Sequence, residues 1–218
     1  MKITEVKAFA LSFKLENAPR RGVGQPVKKD TVIVRVKTED GIVGYGEAHH
    51  ALAPTLVADL VNTNLAPIVV GCNAMEVEDI WQRIYLKQGQ THGPGNALYK
   101  ALSGVDVALW DARGKALKQP VYRLLGGSRK KIRAYAGGVC MGFKPPPALL
   151  EEAQSFVDKG FTAIKLRMGD TVENDLARVR AVRRVGKLQG FITPVNYGPW
   201  SPTCRAGPQL IQVPVRTR

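Results

Sequence analysis

The chain has 218 residues, of which 44% are hydrophobic and 23% are charged. This composition is typical of a soluble globular protein, and the length allows one large domain or a small domain plus part of another. No apolar run approaches the roughly 18 residues that suggest a membrane span. Because residues 1–6 alternate like a strand and lack the apolar region of a signal peptide, we expect a cytoplasmic protein that binds no membrane.

The net charge of +14 raises the question of nucleic-acid binding. Residues 176–218 contain eight Lys or Arg side chains and no Asp or Glu, so the other 175 residues carry only +6. The arginines of residues 178–184 fit one exposed helix flank, and no aromatic and basic pattern of an RNA-binding sheet is present. Nucleic-acid binding is therefore the weakest of the functions considered.

The three cysteines give no evidence for a disulfide framework or a zinc site. Cys72, Cys140 and Cys204 stand far apart and form no C-x-x-C pair. We expect them to be inert thiols.

The first half of the chain begins with strands. Residues 2–12 alternate, residues 31–37 are rich in β-branched side chains, and residues 42–47 follow an Asp-Gly turn. Asp-Gly between two apolar runs predicts a hairpin, so we expect an antiparallel meander of three strands. Residues 16–29, rich in Pro, Gly and Arg, are expected to form a long connection and a functional lid.

Helical periodicity follows the strands. Residues 55–64 and 76–86 predict two short helices, separated by Pro67 and by a turn at residues 71–73. A longer helix is predicted for residues 96–117, with Pro120 just beyond its end. Its apolar residues recur every three or four positions: Leu98, Ala101, Leu102, Val105, Ala108, Leu109, Ala112 and Ala116.

Beyond residue 130 the pattern changes to alternating strands and helices, which favours parallel βαβ units. An Asp170–Glu173 pair is predicted to cap the last helix. Strands are expected at residues 132–136, 161–167 and 191–193, and helices at residues 148–159 and 170–184. The proline-rich sequence after residue 196 predicts loop or disorder.

Three segments together resemble the mandelate racemase and muconate-lactonising enzyme family of the enolase superfamily. They are Ala101-Leu-Ser-Gly-Val-Asp-Val-Ala-Leu-Trp-Asp-Ala-Arg-Gly-Lys115 with Pro120–Gly127, the strand Gly44-Tyr-Gly-Glu-Ala48, and the strand that carries Lys165. Any one of them could be an ordinary core helix or strand, but their order and spacing are specific. The resemblance covers about residues 1–185.

The resemblance implies an α+β capping domain followed by the first βα units of an incomplete TIM-type (β/α) barrel. The capping domain would comprise residues 1–127 and the start of the barrel residues 128–185. Residues 186–218 would form an atypical tail rich in Pro and Arg.

The resemblance also implies a reaction. Members of this family bind Mg²⁺, abstract the proton α to a carboxylate and stabilise the resulting enediolate. The implied enzyme is a lyase or isomerase, namely a dehydratase, racemase or cycloisomerase, acting on a small carboxylate substrate such as a hydroxy acid or acid sugar. We also expect it to form a homo-oligomer.

Lys165 and Arg167 are the candidate catalytic residues. Positions i and i+2 of a strand point to the same face, where two positive charges disfavour each other's protonation. The family pattern usually has lysine at both positions, whereas a guanidinium stays protonated and is a poor base. We therefore expect Arg167 to orient or bind a carboxylate, and Lys165 to be the only lysine on that face. Surface alternation of basic residues on a half-exposed strand is the alternative.

Four residues are candidates for substrate binding. Arg20 and Arg21 lie in the expected lid, His49 lies in a second loop of the capping domain, and Tyr135 lies on the first expected barrel strand. The two arginines could equally be solvated loop charges.

The expected metal site departs from the family pattern. The segment Thr193–Gly198 resembles the family's Asp-x-Asn segment, but Pro194 stands where the first metal ligand is expected. Since Mg²⁺ requires oxygen ligands, we predict no metal ligand here, weak Mg²⁺ binding and little or no turnover. The alternative is a non-catalytic α+β module that associates through the surface of its unfinished barrel.

Overall fold

The computed structural model describes residues 1–16, 27–50, 52–93, 95–132, 134–137, 143–168, 171–186 and 190–192. The chain divides into two compact units. The first comprises Met1–Lys14 and Lys28–Lys130, and the second comprises Leu15–Val27 and Lys131–Arg218. No helix among the described residues is long and apolar enough to cross a membrane.

The first unit contains a three-stranded antiparallel sheet in the order β1-β2-β3. Its strands are β1 (Ile3–Lys14), β2 (Lys28–Thr38) and β3 (Val43–Ala48), which confirms the predicted meander. The β1–β2 hairpin is longer than expected, since Lys14 pairs with Lys28 and the Leu15 amide donates to the Val27 carbonyl (3.0 Å). The connection is therefore shorter than the expected residues 16–29, because residues 28 and 29 belong to β2.

The predicted turn between β2 and β3 is confirmed. The Thr38 amide donates to the Ile42 carbonyl (3.0 Å), and Gly41 has a φ of +79°. Glycine adopts this left-handed conformation without steric cost, which explains the Asp-Gly signal.

The helical segment after β3 runs through the predicted break at Pro67. It consists of α1 (Pro54–Asp59), a π-helical turn (Leu60–Leu65) and α2 (Ala66–Val69). Pro67 lies in the first turn of α2, where a proline is tolerated because the missing N–H has little cost. The prediction that Pro67 ends the helix was wrong.

The next helices frame the longest one. Helix α3 (Val77–Ile84) continues through a π-helical turn (Tyr85–Gly89) into α4 (Gln90–His92). Helix α5 (Asn96–Leu117) is confirmed as predicted, and α6 (Val121–Leu124) follows it. Helix α5 ends at Lys118, which has a left-handed backbone (φ 52°).

The core of the first unit lies between the sheet and its helices. One face of β2 contributes Val32, Val34 and Val36, all fully buried. Helix α5 contributes the apolar side chains that the sequence periodicity predicted, with Ala116 only partly buried. Burial of apolar area of this kind is the main stabilising term in folding.

Helix α5 approaches β3 so closely that glycines are required. A Cβ added to Gly46 would lie 2.1 Å from the Gly104 carbonyl oxygen, and one added to Gly44 would lie 2.1 Å from the Ala108 oxygen. A Cβ on Gly104 would lie 2.7 Å from the Ala48 Cβ. The glycines of the family-like segments therefore form a contact between the two backbones.

Side chains satisfy backbone groups at both edges of this sheet. At β1 the Asn62 amide bonds both the N–H (2.8 Å) and the C=O (3.1 Å) of Ala8. At β3 the Tyr45 amide donates to Asp111 (2.8 Å), and Lys115 donates to the Val43 carbonyl (2.8 Å). Pairing of this kind limits the exposed edge that could bind another strand.

The second unit contains two parallel strands with helices before and between them. They are α7 (Pro146–Asp158), β4 (Ala163–Lys165), α8 (Val172–Arg183) and β5 (Gly190–Ile192). Ala136 forms a parallel bridge with Ile164, so three chain segments lie side by side. This is the predicted strand and helix alternation, with shorter strands.

Two local predictions in this unit were wrong. Among the described residues of the expected strand 132–136, which exclude residue 133, Ala136 alone forms a strand pairing, and Ile132 is 90% exposed. The cap of α8 is Thr171, whose hydroxyl accepts from the Asn174 amide (3.2 Å). A threonine one residue later serves as well as an aspartate, since both offer an oxygen to the free N–H groups of the first turn.

The core of the second unit combines an apolar cluster with a buried ion pair. Leu149, Ile164, Leu166 and Val182 are completely buried. Asp175 and Arg178 form a hydrogen-bonded ion pair on α8, both of them buried.

Candidate functional site

The two faces of the chain at β4 differ in chemistry. Ile164 and Leu166 are fully buried in the apolar cluster with the helices of their unit. Lys165 and Arg167 alternate with them and are only partly buried. Since successive side chains of a strand point to opposite faces, Lys165 lies on the face away from this cluster, and the same placement of Arg167 stays a prediction. Regular strand structure ends at Lys165, so Arg167 lies just beyond β4.

Hydrogen bonds fix the position of Lys165 beside the preceding segment. The Lys165 amide donates to the Ala136 carbonyl (2.7 Å), and the Ala136 amide donates to the Ala163 carbonyl (2.9 Å). The backbone from which Lys165 projects is therefore held on that side by main-chain bonds.

Gly137 brings Lys165 and Tyr135 together. A Cβ added to Gly137 would lie 3.0 Å from the Lys165 Cβ and 3.2 Å from the Tyr135 Cε2. Both predicted site residues therefore border the same small residue, and the Tyr135 side chain remains 46% exposed. The Lys165 Cβ and the Tyr135 ring thus lie next to the same backbone position, and an ammonium and a phenol are both groups that can donate hydrogen bonds to an anion.

His49 lies in the first unit, just after β3. It is exposed, and its ring stacks on that of His50, with centroids 4.8 Å apart and planes 13° apart. The Nδ1 of His50 accepts from the Leu52 amide (3.0 Å), and Leu52 has a φ of 64°. His49 thus lies in the loop after β3, as predicted, and its role in substrate binding stays a prediction.

Three predicted positions lie outside the described residues. They are Arg20 and Arg21 in the expected lid, and Pro194 in the expected metal segment. Within the described part of the chain, no group of three His, Cys, Asp or Glu side chains could hold a metal ion. The expectations of an absent ligand at Pro194 and of weak Mg²⁺ binding therefore stay predictions.

Sequence reasoning missed Gly137 as part of the site. The signal was the glycine pair that follows Ala136, at the point where the chain leaves a parallel segment. Isolated glycines at such places often mark a close approach of another chain segment.

The sequence of this chain is similar to those of known proteins. The family described as mandelate racemase / muconate lactonizing enzyme, N-terminal domain, matches residues 5–126. Arabinonate dehydratase from Saccharolobus solfataricus is 35% identical over 158 residues, which are 72% of this chain and 42% of that protein. N-succinyl-L-Arg/Lys racemase from Bacillus cereus is 30% identical over 207 residues, which are 91% of this chain and 53% of that protein.

The fold is similar to solved structures as well. The crystal structure of a member of the enolase superfamily from Polaromonas sp. JS666 has a TM-score of 0.85 and 43% identity, covering 90% of this chain and 52% of that one. The chain thus spans about half the length of the relatives it matches. It belongs to the mandelate racemase/muconate lactonizing enzyme family of the enolase superfamily.

Proposed function

We propose that this chain carries part of an active site that removes the proton α to a carboxylate. Lys165 is the proton-transfer group and Arg167 binds the substrate carboxylate. The observation that carries the proposal is the position of Lys165, which lies on the face of β4 away from the apolar cluster and beside Gly137 and Tyr135, with Arg167 two residues further along the chain. The surrounding domain is proposed to be the start of a (β/α) barrel, with the first unit as its capping domain.

The roles follow from the two side chains. A lysine can lose its proton and then accept one from carbon, whereas a guanidinium remains charged at any working pH. In the proposed step the Cα–H bond breaks, the proton passes to the Lys165 Nζ, and the electron pair moves into the carboxylate as an enediolate. Arg167 then faces an anion whose negative charge has increased, which is the state that a fixed cation stabilises most.

The substrate class is proposed from the relatives. Arabinonate is an acid sugar, and an N-succinyl amino acid also carries a carboxylate next to a carbon-bound proton. Both kinds of molecule offer the α proton and the carboxylate that Lys165 and Arg167 would handle. We therefore propose a hydroxy acid, an acid sugar or an N-acyl amino acid as substrate.

The Mg²⁺ implied for this family has no ligand set among the described residues. The roles proposed for Lys165 and Arg167 follow from their own side chains and need no assumption about where the ion binds. When bound in this family, the ion supplies a positive charge to the carboxylate oxygens.

The test is exchange of the α proton in D₂O, followed by ¹H NMR on a panel of aldonates and N-succinyl amino acids with Mg²⁺ present. Exchange reports proton abstraction whether the product is a racemate, a dehydrated acid or a lactone. Because weak Mg²⁺ binding is expected, we expect slow exchange by the unchanged chain, followed over long incubations, and a further loss of about 10²-fold or more in Lys165→Ala, as for the loss of a general base. The matched control is Lys131→Ala, since Lys131 is an exposed lysine of the same unit.

Arg167→Gln separates binding from chemistry. We expect it to weaken carboxylate binding in NMR saturation-transfer measurements, while Lys165→Ala leaves binding largely intact. Exchange that survives in Lys165→Ala contradicts the role of this residue. A chain that neither binds nor exchanges any member of the panel contradicts the proposed function.

A further inference from the structure

The end of β1 pairs with β2 along one side, and its residues are otherwise exposed. All five residues from Ala10 to Lys14 are exposed, in contrast to the buried Ile3, Val6 and Ala8 of the same strand. Two of them are large and apolar, since Leu11 is 51% and Phe13 is 72% exposed. β1 is also an edge strand of its sheet.

The free backbone groups of this segment can be identified. Ala8 uses its N–H and C=O for Asn62, so both groups point away from β2. Leu15 donates its N–H to Val27, so odd-numbered residues face the neighbouring strand. The β1–β2 register is unbroken from Glu5 to Lys14. Because the direction alternates along a strand, Ala10, Ser12 and Lys14 present their N–H and C=O groups outward.

Two other positions on this edge have partners. The Ile3 amide and carbonyl bond the backbone of Cys72 and Gly71, and Asn62 serves Ala8. Among the described residues, nothing comparable reaches the outward groups of residues 10–14. An unpaired edge that carries exposed apolar side chains is a template for another strand.

We propose that a second copy of this chain occupies the edge. The two β1 strands pair antiparallel about a two-fold axis at Ser12 and join two three-stranded sheets into one of six strands. In this register Ser12 faces its own copy, Ala10 faces Lys14, and Leu11 faces Phe13. The contact is independent of the proposed chemistry.

The sequence of the segment favours a second copy as the partner. A two-fold pairing must be complementary to itself, and this register places each Leu11 against a Phe13 on the same face of the sheet. It also places each Lys14 against an Ala10, so no like charges are directly opposed. In this register the hydrogen-bonded pairs between the two strands are formed by the outward residues Ala10, Ser12 and Lys14. Their backbone N–H and C=O groups give about six hydrogen bonds.

The side chain of Ser12 does not compete with this pairing. Its hydroxyl donates to Asp30 (2.6 Å), and this bond, aided by Lys28, holds the pKa of the Asp30 carboxyl below its ordinary value. The side chain is thus bound within the sheet, and its backbone groups remain available.

Disulfide trapping tests the register. Leu11→Cys and Phe13→Cys are made separately in the full chain, mixed, and oxidised under mild conditions. Positions 11 and 13 form a non-hydrogen-bonded pair with Cα atoms about 4.5 Å apart, a distance that a disulfide can bridge. We expect the mixture to give a covalent dimer joining the two variants, at least tenfold more than either variant alone. The single variants contain the same native cysteines and are the matched controls.

Sedimentation tests the surface itself. An interface this small should dissociate in the micromolar range, so the chain is studied from about 10 to 500 µM. We expect Phe13→Lys to raise the dissociation constant of the dimer by tenfold or more. Ala10→Pro should have the same effect, because it removes an outward N–H from the contact, and an edge strand tolerates a proline at such a position. Leu125→Lys, at a residue that is 63% exposed elsewhere in the first unit, should leave the dimer unchanged. Circular dichroism verifies that each variant folds.

Three results would overturn the proposal. One is a monomer throughout the concentration range. Another is a dimer that Phe13→Lys and Ala10→Pro leave unchanged, which would place the contact on another surface, such as one of the second unit. The third is a mixture that cross-links no better than its single variants.

Discussion

The two units of the chain use their residues differently. The first has strands of up to 12 residues, a 22-residue helix and one large apolar cluster. The second has strands of three residues, and its smaller cluster lies beside a buried ion pair. The family match covers residues 5–126, within the span of the first unit, whereas the proposed catalytic lysine lies in the second.

The family model thus recognises mainly the unit with the long elements, whereas the residues proposed for the chemistry lie in the other unit. Long strands and buried apolar area make the first unit recognisable and stable. The second unit holds Lys165 on a strand with few ladder bonds, so we expect its local stability to be lower. Hydrogen exchange measured by mass spectrometry reports each unit separately, and the following variants use it.

The largest effect is expected for Gly46→Ala. Its new Cβ would lie 2.1 Å from the Gly104 carbonyl, and a backbone atom cannot move aside as a side chain can. We expect a loss of about 4 kcal/mol or more in the free energy of unfolding, measured by urea denaturation, with increased exchange throughout the first unit. Gly95→Ala is the control, because a Cβ there meets nothing within 4 Å. Equal stability of the two variants would contradict the close contact of α5 and β3.

An intermediate effect is expected for Asp175→Ala in the second unit. This variant leaves the buried Arg178 without the carboxylate of its ion pair, at an expected cost of about 3 kcal/mol. Exchange should increase around α7 and α8 while β1–β3 stay protected. The control is Glu173→Ala, an exposed acid in the same helical turn. A first unit that becomes unprotected together with the second would show that the two do not unfold separately.

The smallest effect is expected for Asp106→Asn on α5. Burial, followed by the charge of Glu78, raises the pKa of the Asp106 carboxyl. A raised pKa means that the folded state disfavours the charged carboxylate at neutral pH, and that this penalty disappears as the pH falls through the raised pKa. We therefore expect Asp106→Asn to raise Tm by about 1–2 °C at pH 7, and the gain to vanish in acid. Asp59→Asn, at an exposed aspartate of the same unit, should show no such gain.

The sequence predicted the elements with strong local patterns. The meander follows from β-branched runs around an Asp-Gly turn, and α5 follows from its apolar periodicity, so both were predicted correctly. The break at Pro67 was wrong because one proline in a first turn costs little, and the preceding π-helical turn has no sequence signal. The prediction of a strand at residues 132–136 was wrong because alternation of apolar and polar residues shows which residues could pair. It does not show whether a partner strand is adjacent.

For the site, the sequence predicted residue types better than their surroundings. The alternation around Lys165 predicted a face shared with Arg167, and burial of Ile164 and Leu166 agrees with the placement of Lys165. The position of Tyr135 beside Lys165 depends on Gly137, a contact between segments far apart in the chain. Contacts of this kind depend on the tertiary structure, so one sequence cannot reveal them.

The glycine contact between β3 and α5 has a consequence for the kinetics of folding. Gly46 and Gly104 lie far apart in the chain, and closing the intervening loop costs entropy before the contact contributes any stability. Glycines have no side chain that could bridge the space between β3 and a loosely docked α5. Partial docking therefore contributes little stability, and the full van der Waals attraction arises only when both backbones reach their final positions. We therefore expect this contact to form after the rate-limiting step, so that changes at Gly104 mainly speed unfolding and leave the folding rate almost unchanged.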